Sequence, residues 1–235
     1  MQHNQRNLLK LYVRKQVQKI IKVITVTTFI TIFSINLSPV SNAAQSKKAS
    51  EVVCKKTNAK AHSVKNITPP EVKPPFKNRT FTLTTNCGDI VIEANAKSAP
   101  ITVIALAALA NGGFFNKTFC HRLTTNNIYV LQCGDPTGTG LGGPNFYYRD
   151  ENLPQAVESN YPAGVVAMAN SGANTNGSQF FIVYENTSMR PEYTIWGKVT
   201  KGLEIVKAIA KEGVADGTND GLPKQTIAIE RVKVR

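Results

Sequence analysis

Several chemistries are missing from this sequence. It has only three histidines and four cysteines, with no C-x-x-C pair and no His-x3-His spacing. A zinc site therefore has no ligand pattern to rest on. No G-x-S-x-G elbow surrounds Ser178, and the only histidine of the central region, His121, has no nameable triad partner. Hydrolase chemistry of the serine type is thereby disfavoured. Gly138-x-Gly140-x-x-Gly143 has the glycines of a dinucleotide loop, but Pro144 and aromatics follow it where a helix would have to begin. It also lacks the Lys-Ser/Thr of a phosphate loop. Charged residues are only 18%, too few for a coiled coil, and no internal repeat is visible. Hydrophobic residues make up 42% of the 235, enough for a core and too many for whole-chain disorder.

Acidic residues are almost absent from the first part of the chain. Residues 1–66 hold 12 Lys/Arg and one acid, Glu51, leaving 16 basic and 14 acidic residues for 67–235. The net +13 thus belongs mainly to the N-terminal part, and the remainder is nearly neutral. A basic chain invites a nucleic-acid reading, but this distribution argues against one, and no nucleic-acid partner is expected.

Residues 1–44 read as a leader. Six Lys/Arg precede Val23, residues 23–40 carry no charge, and Ser41-Asn42-Ala43-Ala44 offers small residues for cleavage. That order describes a secretory signal peptide. A retained membrane anchor through residues 23–40 is the alternative, since the run is long for a signal and short for a span. Either way the rest of the chain is exported, as a secreted or membrane-anchored protein. Residues 45–78, rich in Lys, Ser, Asn and Pro, read as a solvated basic linker with PPII-like Pro pairs at 69–70 and 74–75. Four cysteines allow three pairings. One arrangement is Cys54–Cys87 with Cys120–Cys133; buried free thiols are the other reading.

The remainder, 79–235, alternates like a mainly β domain. Strands are expected over 80–85, 90–93, 118–123, 128–133, 165–169, 179–184, 193–199 and 226–234. Ala99–Ala110 reads as a buried helix with Pro100 in its first turn and Asn111-Gly112-Gly113 as its stop. Gly202–Lys211 reads as an amphipathic second helix. Many short strands with two helices point to a closed barrel or sandwich with helical plugs.

The informative stretches are Phe119-Cys120-His121-Arg122-Leu123, Val130–Asp135, Gly140-Leu141-Gly142-Gly143, Asp150-Glu151-Asn152, Ala167–Phe181 and Trp196–Val199. In this order they resemble the cyclophilin family of peptidyl-prolyl cis-trans isomerases across residues 79–235. The resemblance implies a closed eight-stranded antiparallel barrel capped by two α-helices, read here as a monomer acting on Pro-containing polypeptides. It implies no cofactor and no metal, since rotation about an amide needs neither. By this resemblance Arg122 stabilises the twisted amide, and Gln132 bonds Arg122 or the substrate backbone. Ala169, Asn170 and Gln179 hold the extended peptide, Gly140 flanks the groove, and Phe181 floors the proline pocket.

The sequence also departs from the family pattern. Nine residues separate Arg122 from Gln132 where seven are usual, and the extra ones are expected in a turn at Thr124–Asn127. The usual Phe-Met pair becomes Tyr129-Val130, with Tyr129 expected to offer its ring to proline and Val130 to loosen the pocket. Ser188 stands for a tryptophan, Met189 for a leucine and Tyr193 for a histidine. The missing tryptophan argues against tight cyclosporin binding. A catalytically weak module that binds Pro-containing segments is the alternative function.

Overall fold

A computed structural model describes residues 51–235. The leader (1–44) and its apolar run (23–40) lie outside the described residues. Among the described residues no helix is long and apolar enough to cross a membrane.

The strands are β1 (Arg79–Thr85), β2 (Gly88–Ala94), β3 (Thr118–Phe119), β4 (Arg122–Asn126), β5 (Ile128–Cys133), β6 (Val165–Met168), β7 (Phe180–Val183), β8 (Ile195–Lys201), β9 (Asp220–Gly221) and β10 (Ala228–Val234). They form one antiparallel sheet in the order β3-β10-β1-β2-β8-β6-β7-β5-β4-β9. The expected eight strands are thus ten, because two strands have only two residues each. The expected strand 118–123 is broken into β3 and β4, and β9 carries no hydrophobic alternation from which to read it. β3 lies at one edge of the sheet beside β10, while β4 pairs with β5 near the other edge. Only Cys120 and His121 separate β3 from β4, so the chain itself joins the two sides of the curled sheet.

Alternation sets the register. In the first hairpin Phe81 faces Ile92 and Leu83 faces Ile90, all four buried, as period-two strands with one face on a core require. Trp196 on β8 is 1% exposed and meets Phe81 and Phe180 edge-on at 5.4 and 5.8 Å. Helix α1 (Pro100–Asn111) packs against β10, and α2 (Leu203–Glu212) against β2 and β4. α1 is apolar nearly all round, the composition of a buried helix. Its N-cap, Ala99, offers no side-chain acceptor. Glu151, remote in sequence, replaces it by accepting from the Ile101 N–H, the Thr102 N–H and the Thr102 hydroxyl at 3.2, 2.9 and 2.9 Å.

Two sequence expectations change here. Residues 51–78 have no regular secondary structure, yet they are a docked strap rather than a solvated linker. Val52, Cys54, Val64, Ile67 and Phe76 pack against the core. The Lys55 N–H donates to the Asn86 carbonyl at 2.8 Å, and the His62 N–H to the Pro136 carbonyl at 3.0 Å. Ile67 sits so close over Gly112 that a Cβ there would lie 2.3 Å from its Cδ1. Both expected disulfides are present, Cys54–Cys87 and Cys120–Cys133, and no cysteine among the described residues is free. The second change concerns the insertion. Thr124, Thr125 and Asn126 do not form a loop; they lengthen β4, and the turn falls on Asn127, whose φ is 61°. The hairpin grows outward, so its base keeps Arg122 directly opposite Gln132.

Candidate active site

That base is where the polar half of the site assembles. Arg122 and Gln132 are ladder partners, so their side chains leave the same face of the sheet. Nη1 of Arg122 donates to Gln132 Oε1 at 3.1 Å. Gln132 Nε2 donates to Gln179 Oε1 at 2.8 Å. Gln179 Nε2 then donates to the Gly140 and Gly142 carbonyls at 2.9 and 2.8 Å. The cation at one end fixes both amide orientations along this relay, because each amide oxygen must accept and each amide nitrogen must donate. Gly140 is held from its other side by Asp135, whose Oδ2 accepts the Gly140 and Gly142 N–H groups at 2.7 and 3.1 Å. Burial pushes the Asp135 carboxyl up, but hydrogen bonds from Thr137, Gly142 and Gly140 outweigh it and hold the pKa below the usual value. Gly140 has a φ of +81°, a left-handed conformation that favours glycine.

The apolar half lies alongside. Val130 and Phe181 are 3% and 4% exposed and cluster with Met189, Tyr193 and Ala169. Phe181 and Tyr193 meet edge-on, ring centroids 5.5 Å apart. Beneath them Tyr161 is fully buried; its hydroxyl accepts the Tyr193 N–H at 3.0 Å and donates to the Tyr193 carbonyl at 3.1 Å. Burial pushes the Tyr161 phenol up to about 12, so it stays a donor at neutral pH. Asn160 brackets Met189 from both sides, accepting its N–H at 3.0 Å and donating to its carbonyl at 2.8 Å. Between Gly140–Gly143 and Ala169–Ser171 lies a cleft of about 130 Å³, with Gln132 and Gln179 in its lining.

Asn170, expected to bond the peptide, spends its side chain within the protein. Nδ2 donates to the Glu192 carbonyl at 2.8 Å and Oδ1 accepts the Gly172 N–H at 3.2 Å. These bonds use one of its two amide hydrogens and fix the side chain at the cleft, whose lining it shares. Ala169 donates its N–H to the Gln179 carbonyl at 2.9 Å, which ties the cleft wall to the relay. Tyr129 does not join the site. β5 alternates Val130 and Gln132 toward the groove with Tyr129 and Leu131 toward the core, and the Tyr129 ring lies 5.9 Å from Tyr184. The expectation that it meets proline is corrected by strand parity. Ser188 lies at the surface, its Oγ accepting the Ser159 N–H at 2.8 Å.

Two residues were not foreseen. Tyr161 sits in an irregular stretch with no periodic signal. Asp220, in the turn-like Thr-Asn-Asp-Gly run, reaches Arg122 from β9: its two carboxylate oxygens accept from Nε and Nη2, each at 2.7 Å. That pair raises the Arg122 pKa and lowers that of Asp220.

The fold and the groove define a curled antiparallel sheet that carries a ring-rich apolar cluster and a guanidinium fixed by two partners. The chain belongs to the cyclophilin-type peptidyl-prolyl cis-trans isomerases: that family, described as "Cyclophilin type peptidyl-prolyl cis-trans isomerase/CLD", matches residues 80–234. The chain is similar to a probable peptidyl-prolyl cis-trans isomerase B of Mycobacterium leprae, 42% identical over 182 residues, covering 69% of this chain and 62% of the relative. The chain thus spans under two thirds of that mycobacterial relative's length. It is also similar to a peptidyl-prolyl cis-trans isomerase-like 1 of Emericella nidulans, 37% identical over 157 residues, 65% of this chain and 93% of the relative. A cyclophilin type isomerase crystal structure from Cryptosporidium parvum matches with a TM-score of 0.59 and 30% identity, covering 68% of this chain and 98% of its own. The same protein in the presence of the dipeptide Ala-Pro matches with a TM-score of 0.58 and 30% identity, covering 66% of this chain and 98% of its own.

Proposed function

We propose that this protein is a peptidyl-prolyl cis-trans isomerase that accelerates X-Pro rotation in exported polypeptides, with Arg122 stabilising the twisted amide. The observation that carries the reading is a guanidinium fixed by Gln132 and Asp220 on the same sheet that carries the apolar cluster of Val130, Phe181, Met189 and Tyr193. An amide resists rotation with a barrier of about 18–20 kcal/mol because nitrogen donates its lone pair into the carbonyl. At the transition state that donation is lost, and the nitrogen becomes pyramidal and basic. A group that donates to it there, and not in the planar ground state, lowers the barrier. Arg122 suits this task because it stays charged and presents a rigid planar set of donors. Phe181, Val130, Met189 and Tyr193 bury the ring of the substrate proline. Asn170 and the Gly140–Gly143 side of the cleft hold the preceding residues. No nucleophile, cofactor or metal enters this scheme.

Export is supported by the basic, apolar, small-residue order of residues 1–44 and by two disulfides, which persist in oxidising compartments. If residues 23–40 are retained, they anchor the isomerase at the membrane surface.

The test is isomerisation of a short Ala-Pro peptide by the full chain and by Arg122→Ala. The wild type should accelerate the reaction clearly above background, and the variant should lose about 10²-fold or more, the usual cost of removing one preorganised donor. A folded variant with unchanged turnover would sink the Arg122 assignment. A folded wild type without acceleration would leave a module that only binds Pro-containing segments.

A further inference from the structure

An arginine carries long rotamer freedom, and one neutral hydrogen bond does not remove it. The Gln132 contact alone, at 3.1 Å on Nη1, would let the guanidinium swing about that point. Asp220 stops that motion. Two parallel bonds of 2.7 Å, from Nε and Nη2, fix the plane of the group as well as its position. With Gln132 this engages three of the guanidinium N–H groups along two sides and leaves the others for a substrate.

Asp220 is itself held in place. β9 pairs with β4 in the register Thr124↔Asp220 and Leu123↔Gly221, the same strand that begins with Arg122. The Thr125 N–H donates to the Asn219 carbonyl at 2.9 Å. Asp216 accepts from the Thr218 N–H and hydroxyl at 3.0 and 2.7 Å, and the Thr218 hydroxyl lies 3.1 Å from the Asp220 carbonyl. Gly221 leaves no room for a side chain, since a Cβ there would meet Val214 Cγ1 at 2.9 Å. A two-residue strand with so many ties is a bracket, and what it delivers is one carboxylate to one guanidinium. The pair is about half exposed, 43% for Arg122 and 54% for Asp220, so it adds little to stability. Its consequence lies in geometry.

We propose that Asp220 is a positioning residue for the isomerase reaction: its bidentate grip on Nε and Nη2 holds Arg122 in the orientation that meets the pyramidal nitrogen. The proposal rests on the isomerase reading above. It places Asp220 on the side of Arg122 away from the reacting amide, so Asp220 itself does not touch substrate.

The experiment compares full-length wild type, Asp220→Ala, Asp220→Asn, Arg122→Ala and the Arg122→Ala/Asp220→Ala pair on an Ala-Pro peptide at varied concentration. Asp220→Ala should lower kcat about tenfold with KM nearly unchanged, the size of loss that a small misplacement of a reacting group produces. Asp220→Asn keeps one oxygen on the guanidinium and should lose less. In the Arg122→Ala background, Asp220→Ala should cost nothing further, because its effect passes through the arginine. Unchanged or faster turnover in Asp220→Ala, beside a collapsed Arg122→Ala, would overturn the positioning role and leave the isomerase reading standing. An equal loss from Asp220→Ala with and without Arg122 would overturn it too, by showing a general structural effect. Unchanged turnover in Arg122→Ala would bring down the isomerase reading instead. Should Asp220→Ala fail to fold, wild-type turnover in Asp220→Asn with unchanged KM overturns the proposal, and a kcat loss confined to the Arg122 background supports it.

Discussion

Removing the Cys54–Cys87 disulfide by the double substitution Cys54→Ser/Cys87→Ser is the most informative perturbation of the fold. The bond closes a loop with a sequence separation of 33. In the chain-entropy picture, cross-linking such a loop removes about 12.5 cal/mol/K from the unfolded ensemble, or about 3.7 kcal/mol at room temperature. The same arithmetic on the separation of 13 at Cys120–Cys133 yields about 2.9 kcal/mol. The first bond should therefore be the more stabilising, though it holds only an irregular strap. Both cysteines are replaced together so that no free thiol is left to mispair. Trp196, the single tryptophan and 1% exposed, reports unfolding in urea. With a slope of roughly 1–3 kcal/mol per molar urea, the midpoint should fall by on the order of 1 M or more. A loss below about 1 kcal/mol would refute the reasoning. It would mean that the uncrosslinked strap leaves the barrel and regains its freedom in the native state, so the bond restrains both states alike.

Two further outcomes follow from Glu151 and His121. Glu151→Ala should cost about 2 kcal/mol in urea denaturation, because helix α1 loses its borrowed cap and three acceptor contacts; a loss under about half that would show the helix end satisfied by water instead. His121, 7% exposed, has both ring nitrogens without a hydrogen-bond partner among the described residues, and burial lowers its pKa against the opposing pull of Asp135. The unfolded chain then takes up the proton first, so this stability is present above about pH 6.5 and is lost as pH falls below it toward the folded value. Urea midpoints at about pH 7.5 and 5.5 should differ less in His121→Gln than in wild type, and an identical pH slope would remove His121 as the cause.

The chain's own pattern carries a good deal of this protein. Alternation in β1, β2, β5 and β10 and the apolar composition of α1 are local properties, so they can be read without knowing the partner. The motifs around Arg122, Gln132, Gly140 and Gln179 are legible through their resemblance to a family, while the bonds that join them run between residues 10 to 47 apart in the chain. What was not legible is what distant segments do to one another. The family resemblance puts Tyr129 at the proline, but strand parity turns it to the core. The strap 51–78 looks like a linker because its composition is polar, and its packing on the core, its backbone bonds to Asn86 and Pro136 and the glycine-sized gap under Ile67 reveal it as docked. Asp220 lies 98 residues from Arg122 in the chain, in a turn-like run that carries no hydrophobic period. Sequence by itself determined the period of the strands and helices, which local side-chain alternation sets, and it carries the motifs whose resemblance points to Arg122. Tertiary structure alone decided which carboxylate holds that cation and which helix end Glu151 caps. A hydrogen bond between remote residues costs the chain loop closure, and a compact core supplies that only once everything else is in place.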